Sequence, residues 1–220
     1  MKTSKIKNKI LEIFDNSKLS ELLTSAIKSS FNSILKLIKN EELYSFGIYT
    51  SGEYNYIEIT GNTHEGLHDK SLEYAKIDSY KNRTIKELEM ELKWSPCDWK
   101  YHCKVEIPDS DTIQSFLDEI FELSDLLYDS LSDKDEALEM IDKLIISRFN
   151  NLFVSILKNM TTISGGYEEL IFGVWKGDQS EEEREWFISK INSEDKTSKF
   201  KKESEIGYQV YFSKLKNYEA

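Results

Sequence analysis

The chain has 220 residues, of which 39% are hydrophobic and 12% aromatic, so it carries enough apolar material for a folded core and is not expected to be disordered. Its formal net charge of −11 disfavours binding to the phosphate backbone of nucleic acids. No apolar run reaches the roughly twenty residues of a membrane span. Two cysteines make a poor disulfide framework for a secreted protein, so we expect the protein to be located in the reducing cytosol.

The first forty residues predict helices with a basic surface. Ile6, Ile10 and Ile13 recur at helical spacing, so residues 1–16 are a candidate separate N-terminal helix. A longer amphipathic helix is indicated next. Eight lysines accompany three acids in this stretch, and we interpret them as a solvated helix face. No linker rich in Pro, Gly or Ser follows, so one domain is expected over residues 1–220.

The spacing of the apolar residues then changes from the helical period to a period of two residues, which is typical of a strand. Residues 43–50 and 54–59 are rich in aromatic and β-branched side chains, which favour strands, and Gly52 lies in the short turn between them. We therefore predict a β-hairpin over residues 43–59.

Side-chain caps mark the next two helices. Thr63 precedes an apolar run and is the expected N-cap of the first. Thr84 and Glu87 have the spacing of a capping box, in which each side chain bonds the backbone N–H of the other residue. This second helix is expected to lead to Trp94.

Residues 94–103 concentrate unusual residues: two of the four Trp, both Cys, one of three His and one of two Pro. Large aromatics bury much apolar area and Pro restricts the backbone, so a rigid, well-packed junction is predicted. We expect its tryptophans to wedge between the hairpin and the acidic helices that follow, and its cysteines to be buried packing residues. The structural signature of this junction comprises Trp94, Pro96, Asp98, Trp99, Tyr101 and His102.

An acidic helix is predicted after Pro108. Its apolar residues form one stripe, and four carboxylates spaced by four, three and four form another on a different face. Residues 104–150 hold 13 acids and four bases, which accounts for most of the net charge. Aligned like charges must be solvated or met by a partner, so we predict a partner-binding surface. This acidic stripe comprises Asp118, Glu122, Asp125 and Asp129.

The rest of the chain predicts more helix and one more strand. A buried helix starts near Asp133, a break is expected at Gly165 and Gly166, and residues 170–175 are typical of a buried strand. The predicted class is α+β. A small, mostly antiparallel sheet, built from the hairpin and this strand, packs one face against several long amphipathic helices.

The C-terminal part is expected to be less regular. Ser180 with Glu183 resembles another capping box. Residues 196–220 are a candidate loosely attached segment. Within it we expect an exposed lysine-rich loop at residues 196–202 and a short strand at residues 208–212.

One stretch matches a catalytic pattern. His64-Glu65-Gly66-Leu67-His68 fits H-E-x-x-H, in which two histidines one helical turn apart hold Zn²⁺ and the Glu activates water. Such helices are buried, whereas charged residues follow His68 directly, so an ordinary exposed helical turn is the competing interpretation. The candidates for a third ligand are Glu87, Glu89 and Glu91.

Other chemistry is poorly signalled. Cys97 and His102 lack an identifiable oxyanion donor or orienting residue, and neither a P-loop nor a dinucleotide fingerprint is present. We therefore expect no cofactor and no catalytic residues.

These motifs together resemble a bacterial family described as domain of unknown function 4303. The resemblance covers most of the chain from residue 20 to residue 195. It rests on residues 44–50 with Gly52, 62–63, 65–67, 93–96, 98–102 and 189–192. It implies a stand-alone cytoplasmic protein without assigned catalytic residues, and some members are associated with polymorphic-toxin loci. His64 occupies a Glu-type position of the family, which weakens the zinc interpretation.

Two hypotheses of different class follow. In the first, the protein is a non-enzymatic binding module, an immunity protein that neutralises a basic bacterial toxin through the acidic stripe. In the second, it is a zinc-dependent hydrolase acting through His64, Glu65 and His68. A cytoplasmic scaffold or regulatory domain is a third alternative. We expect neither a nucleic-acid nor a membrane partner, and the sequence does not indicate the oligomeric state.

Overall fold

A computed structural model of the chain describes residues 3–163 and 167–215, so the predicted break at Gly165 and Gly166 lies outside the described residues. The strands are β1 (Leu43–Thr50), β2 (Ile57–Thr63) and β3 (Ile171–Lys176). The helices are α1 (Thr3–Asp15), α2 (Ser17–Ile38), α3 (His64–Tyr74), α4 (Ile85–Leu92), α5 (Ser110–Ser130), α6 (Lys134–Ile141), α7 (Ser147–Ile163), α8 (Glu181–Ile191) and α9 (Glu194–Leu215), with 3₁₀ turns at Asp78–Tyr80 and Pro96–Asp98 and a π-helical turn at Asp142–Ile146. The predicted α+β class is confirmed.

The three strands form one mixed sheet in the order β2-β1-β3. The longer pairing is antiparallel, with Ile48 of β1 opposite Ile59 of β2, and this confirms the predicted hairpin. β3 runs parallel to β1, with Phe172 opposite Phe46. β2 begins at Ile57, later than predicted, because Tyr54 has a left-handed backbone (φ 60°) that a strand residue does not adopt.

One face of the sheet carries the larger core. Phe46 and Ile48 of β1 and Phe172 of β3 are fully buried there. They belong to one cluster with the apolar faces of α2, α5 and α7, and α1 adds three isoleucines while packing on α5. Aromatic edge contacts tie the layers together: the rings of Phe31 and Phe46 lie 4.8 Å apart.

The opposite face of the sheet carries a second core, whereas the sequence predicted one covered face. Trp175 of β3 is its centre. The cover consists of α3, α4, α8, α9 and the junction at residues 94–103. β1 lies between β2 and β3, and its apolar side chains on both faces require burial on both. The buried members of this second core are Tyr44, Leu67, Leu88, Leu92, Trp94, Trp99, Ile171, Trp175, Ile188 and Phe200.

The C-terminal predictions of a loop at residues 196–202 and a strand at residues 208–212 are wrong, because both stretches belong to the long helix α9. Only a narrow stripe of α9 is buried, through Phe200, Ser204 and Gly207, so its sequence shows little amphipathic pattern. At Gly207 a Cβ would lie 2.6 Å from the Met90 carbonyl oxygen, so the helix backbones of α9 and α4 touch.

Within residues 3–163 and 167–215, no helix has the length and hydropathy to cross a lipid bilayer.

Candidate protein-binding face and the tryptophan cluster

The acidic stripe lies on the solvent side of α5. Asp118, Glu122, Asp125 and Asp129 are all exposed, while the opposite side of the helix buries the predicted apolar stripe against the larger core. Asp118 accepts a hydrogen bond from Gln114 Nε2 at 2.8 Å. Within the described part of the chain, none of the four carboxylates forms an ion pair, so their charge is left to solvent or to another molecule.

A neighbouring carboxylate on α5 is neutralised, in contrast to the stripe. Glu119 pairs with Lys9 of α1 at 2.6 Å, and this hydrogen bond is the main reason that the pKa of Lys9 is raised. The charge of Glu122 also acts on Lys9, but more weakly. The carboxylate of α5 that faces α1 thus forms an ion pair, whereas those of the acidic stripe form none within the described residues.

The acidic face continues onto α6. Asp133 caps this helix by accepting from the backbone N–H groups of Asp135 and Glu136, and all three side chains are exposed. The basic residue Lys134 is held by Tyr128, whose carbonyl it donates to at 2.8 Å and whose ring it covers at 4.2 Å. The surface formed by α5 and α6 is therefore strongly negative.

The tryptophan junction occupies the other side of the molecule. Trp94 stacks on Trp175 at 6.1 Å between ring centroids, and Trp99 meets the same indole edge-on at 5.0 Å. The prediction that these tryptophans wedge between the hairpin and the acidic helices is wrong: they lie between the sheet, α4 and α9, because they pack on the face of the sheet opposite α5. Trp99 Nε1 donates to the Lys93 carbonyl at 3.0 Å.

Two glycines make room for this aromatic stack. Gly47 of β1 and Gly173 of β3 are register partners beneath Trp175. A Cβ on Gly47 would lie 2.0 Å from the Gly173 carbonyl oxygen, and one on Gly173 would lie 2.7 Å from the Trp175 ring. Only glycine therefore permits the close approach of these strands and the indole.

The junction also covers the outer edge of β2. The backbone N–H groups of Tyr101 and Cys103 donate to the carbonyls of Gly61 and Ile59 at 3.2 and 3.0 Å. This alternation is that of a short added strand, and it protects an otherwise unpaired sheet edge.

The polar residues of the signature bond within the chain. Asp98 accepts from the hydroxyls of Ser95 and Tyr74, and Tyr101 donates to Glu41 at 2.9 Å. His102 lies 3.3 Å from the Thr60 hydroxyl. Pro96 is buried at the start of its 3₁₀ turn. These contacts are those of a structural junction, although the buried indole Nε1 of Trp94 has no hydrogen-bond partner among the described residues.

The cysteines are exposed, so the prediction of buried packing cysteines is wrong. Cys97 donates to the Tyr49 hydroxyl at 3.2 Å. Partial burial, followed by the nearby Glu58, raises the pKa of the Cys103 thiol to about 11, which keeps it protonated near neutral pH. Cys103 is held at the β2 edge by its backbone bond to Ile59, whereas Cys97 is held by the bond of its thiol to Tyr49.

The three polar side chains of the H-E-x-x-H stretch contact different neighbours. His64 is half-buried against the Tyr44 ring at 5.0 Å, and burial lowers its pKa. His68 is exposed and bonds Glu89 at 2.7 Å through Nδ1, while Glu65 accepts from the Glu42 backbone N–H at 2.9 Å. Among the described residues, no group of three or more His, Cys, Asp or Glu is placed to hold a metal ion. The geometry therefore gives the hydrolase hypothesis no support.

Sequence reasoning missed an apolar groove beside the acidic stripe. This α5–α6 groove has a volume of about 320 Å³. The sequence carries an indirect signal: the apolar positions 137, 141, 145, 149 and 153 recur every four residues, a longer period than 3.6, and the π turn between α6 and α7 accommodates this spacing. The groove is lined by Leu117, Ile120, Phe121, Leu138, Ile141 and Ile145, among others.

Comparison with protein-family models identifies the family of this chain. The family model described as Domain of unknown function (DUF4303) matches residues 23–162, which include the hairpin, the tryptophan junction and α5. The match spans more than half of the chain, so the protein belongs to this family. The stretch at residues 189–192, on which the resemblance also rested, lies beyond the match. Neither the curated proteins nor the solved structures contain a match to the chain.

Proposed function

We propose that the protein is a non-enzymatic binding module that engages a basic protein partner through the acidic stripe of α5. The observation that carries the proposal is the alignment of four exposed carboxylates that have no cation partner within the described residues. A surface meant only for solvent would not need this alignment, because interspersed charges keep a helix equally soluble.

The stripe has an energetic cost that a partner would offset. Like charges one helical turn apart destabilise an isolated helix by about 0.2–0.5 kcal/mol per pair. Asp118 with Glu122 and Asp125 with Asp129 are two such pairs. Lys and Arg side chains of a partner would remove this repulsion, and complementary charge would speed association and penalise acidic competitors.

The biological setting that we propose is drawn from the family resemblance. That resemblance implies an association of some members with polymorphic-toxin loci, and we propose that small acidic proteins at such loci act as immunity partners. A nuclease-type toxin is basic because it binds nucleic acid, so an acidic face suits its neutralisation. We propose accordingly a cytoplasmic immunity protein whose partner is encoded beside it.

The test is the affinity for the product of the adjacent gene, measured by calorimetry. Glu122→Lys with Asp125→Lys should weaken binding by at least tenfold, since rim and face charges contribute about 1.4 kcal/mol or more together. Asp178→Lys with Glu205→Lys is the matched control, because it changes the net charge equally at exposed sites outside α5 and α6. An unchanged affinity of the α5 variant for a verified partner would show that this face is not the interface.

A further inference from the structure

The α5–α6 groove joins an apolar floor to an exposed apolar rim. Ile120, Ile141 and Ile145 form part of its floor. Phe121 and Leu138 stand on opposite walls and remain 40% and 56% exposed. Leu138 follows the buried Ala137 on α6, so its exposure does not arise from an unfolded end. Large apolar side chains that face each other across a gap mark a surface suited to a further apolar group.

Carboxylates border the groove on more than one side. Asp125 of the acidic stripe and Glu53 of the β1–β2 connection line it directly. Glu139 and Asp142 follow Leu138 and Ile141 in the sequence and are exposed, but they do not line the groove. An occupant must therefore carry apolar groups for the floor and positive charge for the borders.

The π turn Asp142–Ile146 shapes the second wall. It interrupts the run from α6 to α7 and brings Ile145 into the groove. A π turn replaces the usual bond to the fourth preceding residue with a bond to the fifth, here from the Ser147 N–H to the Asp142 carbonyl, and such turns are frequent at functional sites. Here the turn lies beside the acidic stripe, which links the irregular backbone to the same surface.

We infer that the α5–α6 groove receives one amphipathic helix of the basic partner. Apolar side chains spaced by three, four and seven residues on that helix would enter the groove, and flanking Lys and Arg would meet the acidic borders. A volume of about 320 Å³ accommodates a few apolar side chains rather than an entire helix, so the helix backbone would lie across the rim. The inference rests on the proposed function and adds the kind of element that is recognised.

A designed peptide can test this without the natural partner. The probe is a fluorescent helix of about 18 residues, long enough to be helical in water, with leucines on one face and lysines on the others. One control peptide has the same composition in scrambled order, so that the leucines no longer share a face. A second replaces every lysine with glutamate. Affinity is measured by fluorescence anisotropy on the full chain.

The decisive variant is Leu138→Ser, with Leu126→Ser as its matched control. Leu126 is a leucine of α5 that is 47% exposed and does not line the groove. Peptide binding would bury the exposed part of Leu138, so Leu138→Ser should weaken peptide binding about tenfold. Leu126→Ser should leave it within about twofold. Thermal unfolding verifies that both variants fold.

The possible outcomes distinguish the contribution of the groove to peptide binding from that of the acidic charges. Loss of binding in Leu138→Ser and in Glu122→Lys with Asp125→Lys, together with weak binding of both control peptides, is the expected result. If the scrambled peptide binds equally well and Leu138→Ser has no effect, the groove inference fails while the acidic face still binds cations. If Leu138→Ser weakens binding and charge reversal does not, both the basic partner and the proposed function fail. If sedimentation shows a dimer that Leu138→Ser dissociates, the groove holds a second copy of the chain and the inference is overturned.

Discussion

Trp175 shows how single residues determine the second core. It is fully buried, it contacts both tryptophans of the junction, and two glycines provide the space for its ring. Trp94 and Trp99 thereby form the rigid, well-packed junction that the sequence predicts. Because Trp175 belongs to β3 and its two partners belong to the junction, the stack connects β3 to the junction.

Replacement of Trp99 by alanine should be strongly destabilising. The side chain is 4% exposed and donates to the Lys93 carbonyl, so Trp99→Ala should lower the free energy of unfolding by about 3–5 kcal/mol. Trp186→Ala is the matched control. Trp186 is 38% exposed on α8, so this variant should lose far less free energy of unfolding. Urea unfolding measures both. A Trp99→Ala protein of unchanged stability that had lost a binding activity would instead assign the junction a direct role in recognition.

Two histidines should make stability depend on pH. Burial lowers the pKa of His64 and of His102 below the ordinary value of 6.5. The unfolded chain therefore takes up protons more readily, and stability should fall as the pH drops below 6.5. His64→Gln with His102→Gln should flatten this decline in urea titrations between about pH 7.5 and pH 5. An equally steep decline in the double variant would mean that other groups cause it.

A carboxylate acts in a lower pH range. Burial opposes ionisation of Glu41, but hydrogen bonds from Lys100, Thr63 and Tyr101 outweigh it and hold its pKa below 4.5. The stability that this residue contributes is present above 4.5 and is lost as the pH falls through its lowered pKa. The histidine effect can thus be measured above pH 5 without interference from Glu41.

At the scale of elements, the local signals in the sequence located helix starts well. Thr63 accepts from the Gly66 N–H, the Thr84 capping box is complete, and Ser180 accepts from the Glu183 N–H. These bonds form within a few residues, so the sequence contains all the information. The mixed sheet is different, because its β1–β3 pairing joins residues more than 120 positions apart and depends on the whole fold.

Helix α9 was missed for a related reason. Its stability comes from contact with α4 through a stripe of Phe200, Ser204 and Gly207, and two of these residues are not hydrophobic. One local signal was available: Ser193 precedes two acids and its hydroxyl accepts from the Lys196 N–H at 3.5 Å, as at a helix N-terminus.

The contact of α9 with α4 can be tested by whether one substitution raises or lowers the stability of the protein. Gly→Ala within a helix normally stabilises by about 0.5–1 kcal/mol. Gly207→Ala should destabilise instead, because its Cβ would lie 2.6 Å from the Met90 carbonyl oxygen. Ser198→Ala, at an exposed position of the same helix, should be neutral or slightly stabilising. A raised thermal midpoint for Gly207→Ala would contradict the close packing of α9 on α4.

At the scale of the whole molecule, charge and packing are divided between two sides. The sheet separates the aromatic second core from the acidic surface of α5 and α6. The sequence predicted the stripe because its helical spacing is local. It did not predict the groove, since the groove forms between two helices and depends on how the π turn sets the register of α6 and α7.

The association rate with the product of the adjacent gene tests the central claim most directly. Electrostatic steering by the stripe predicts a rate constant for the natural chain that falls steeply as salt shortens the Debye length from about 30 Å at 0.01 M to about 8 Å at 0.15 M. Glu122→Lys with Asp125→Lys should associate more slowly and with a much weaker dependence on salt. Equal rates and equal salt dependence in the natural and reversed chains would contradict the assignment of this face as the binding surface.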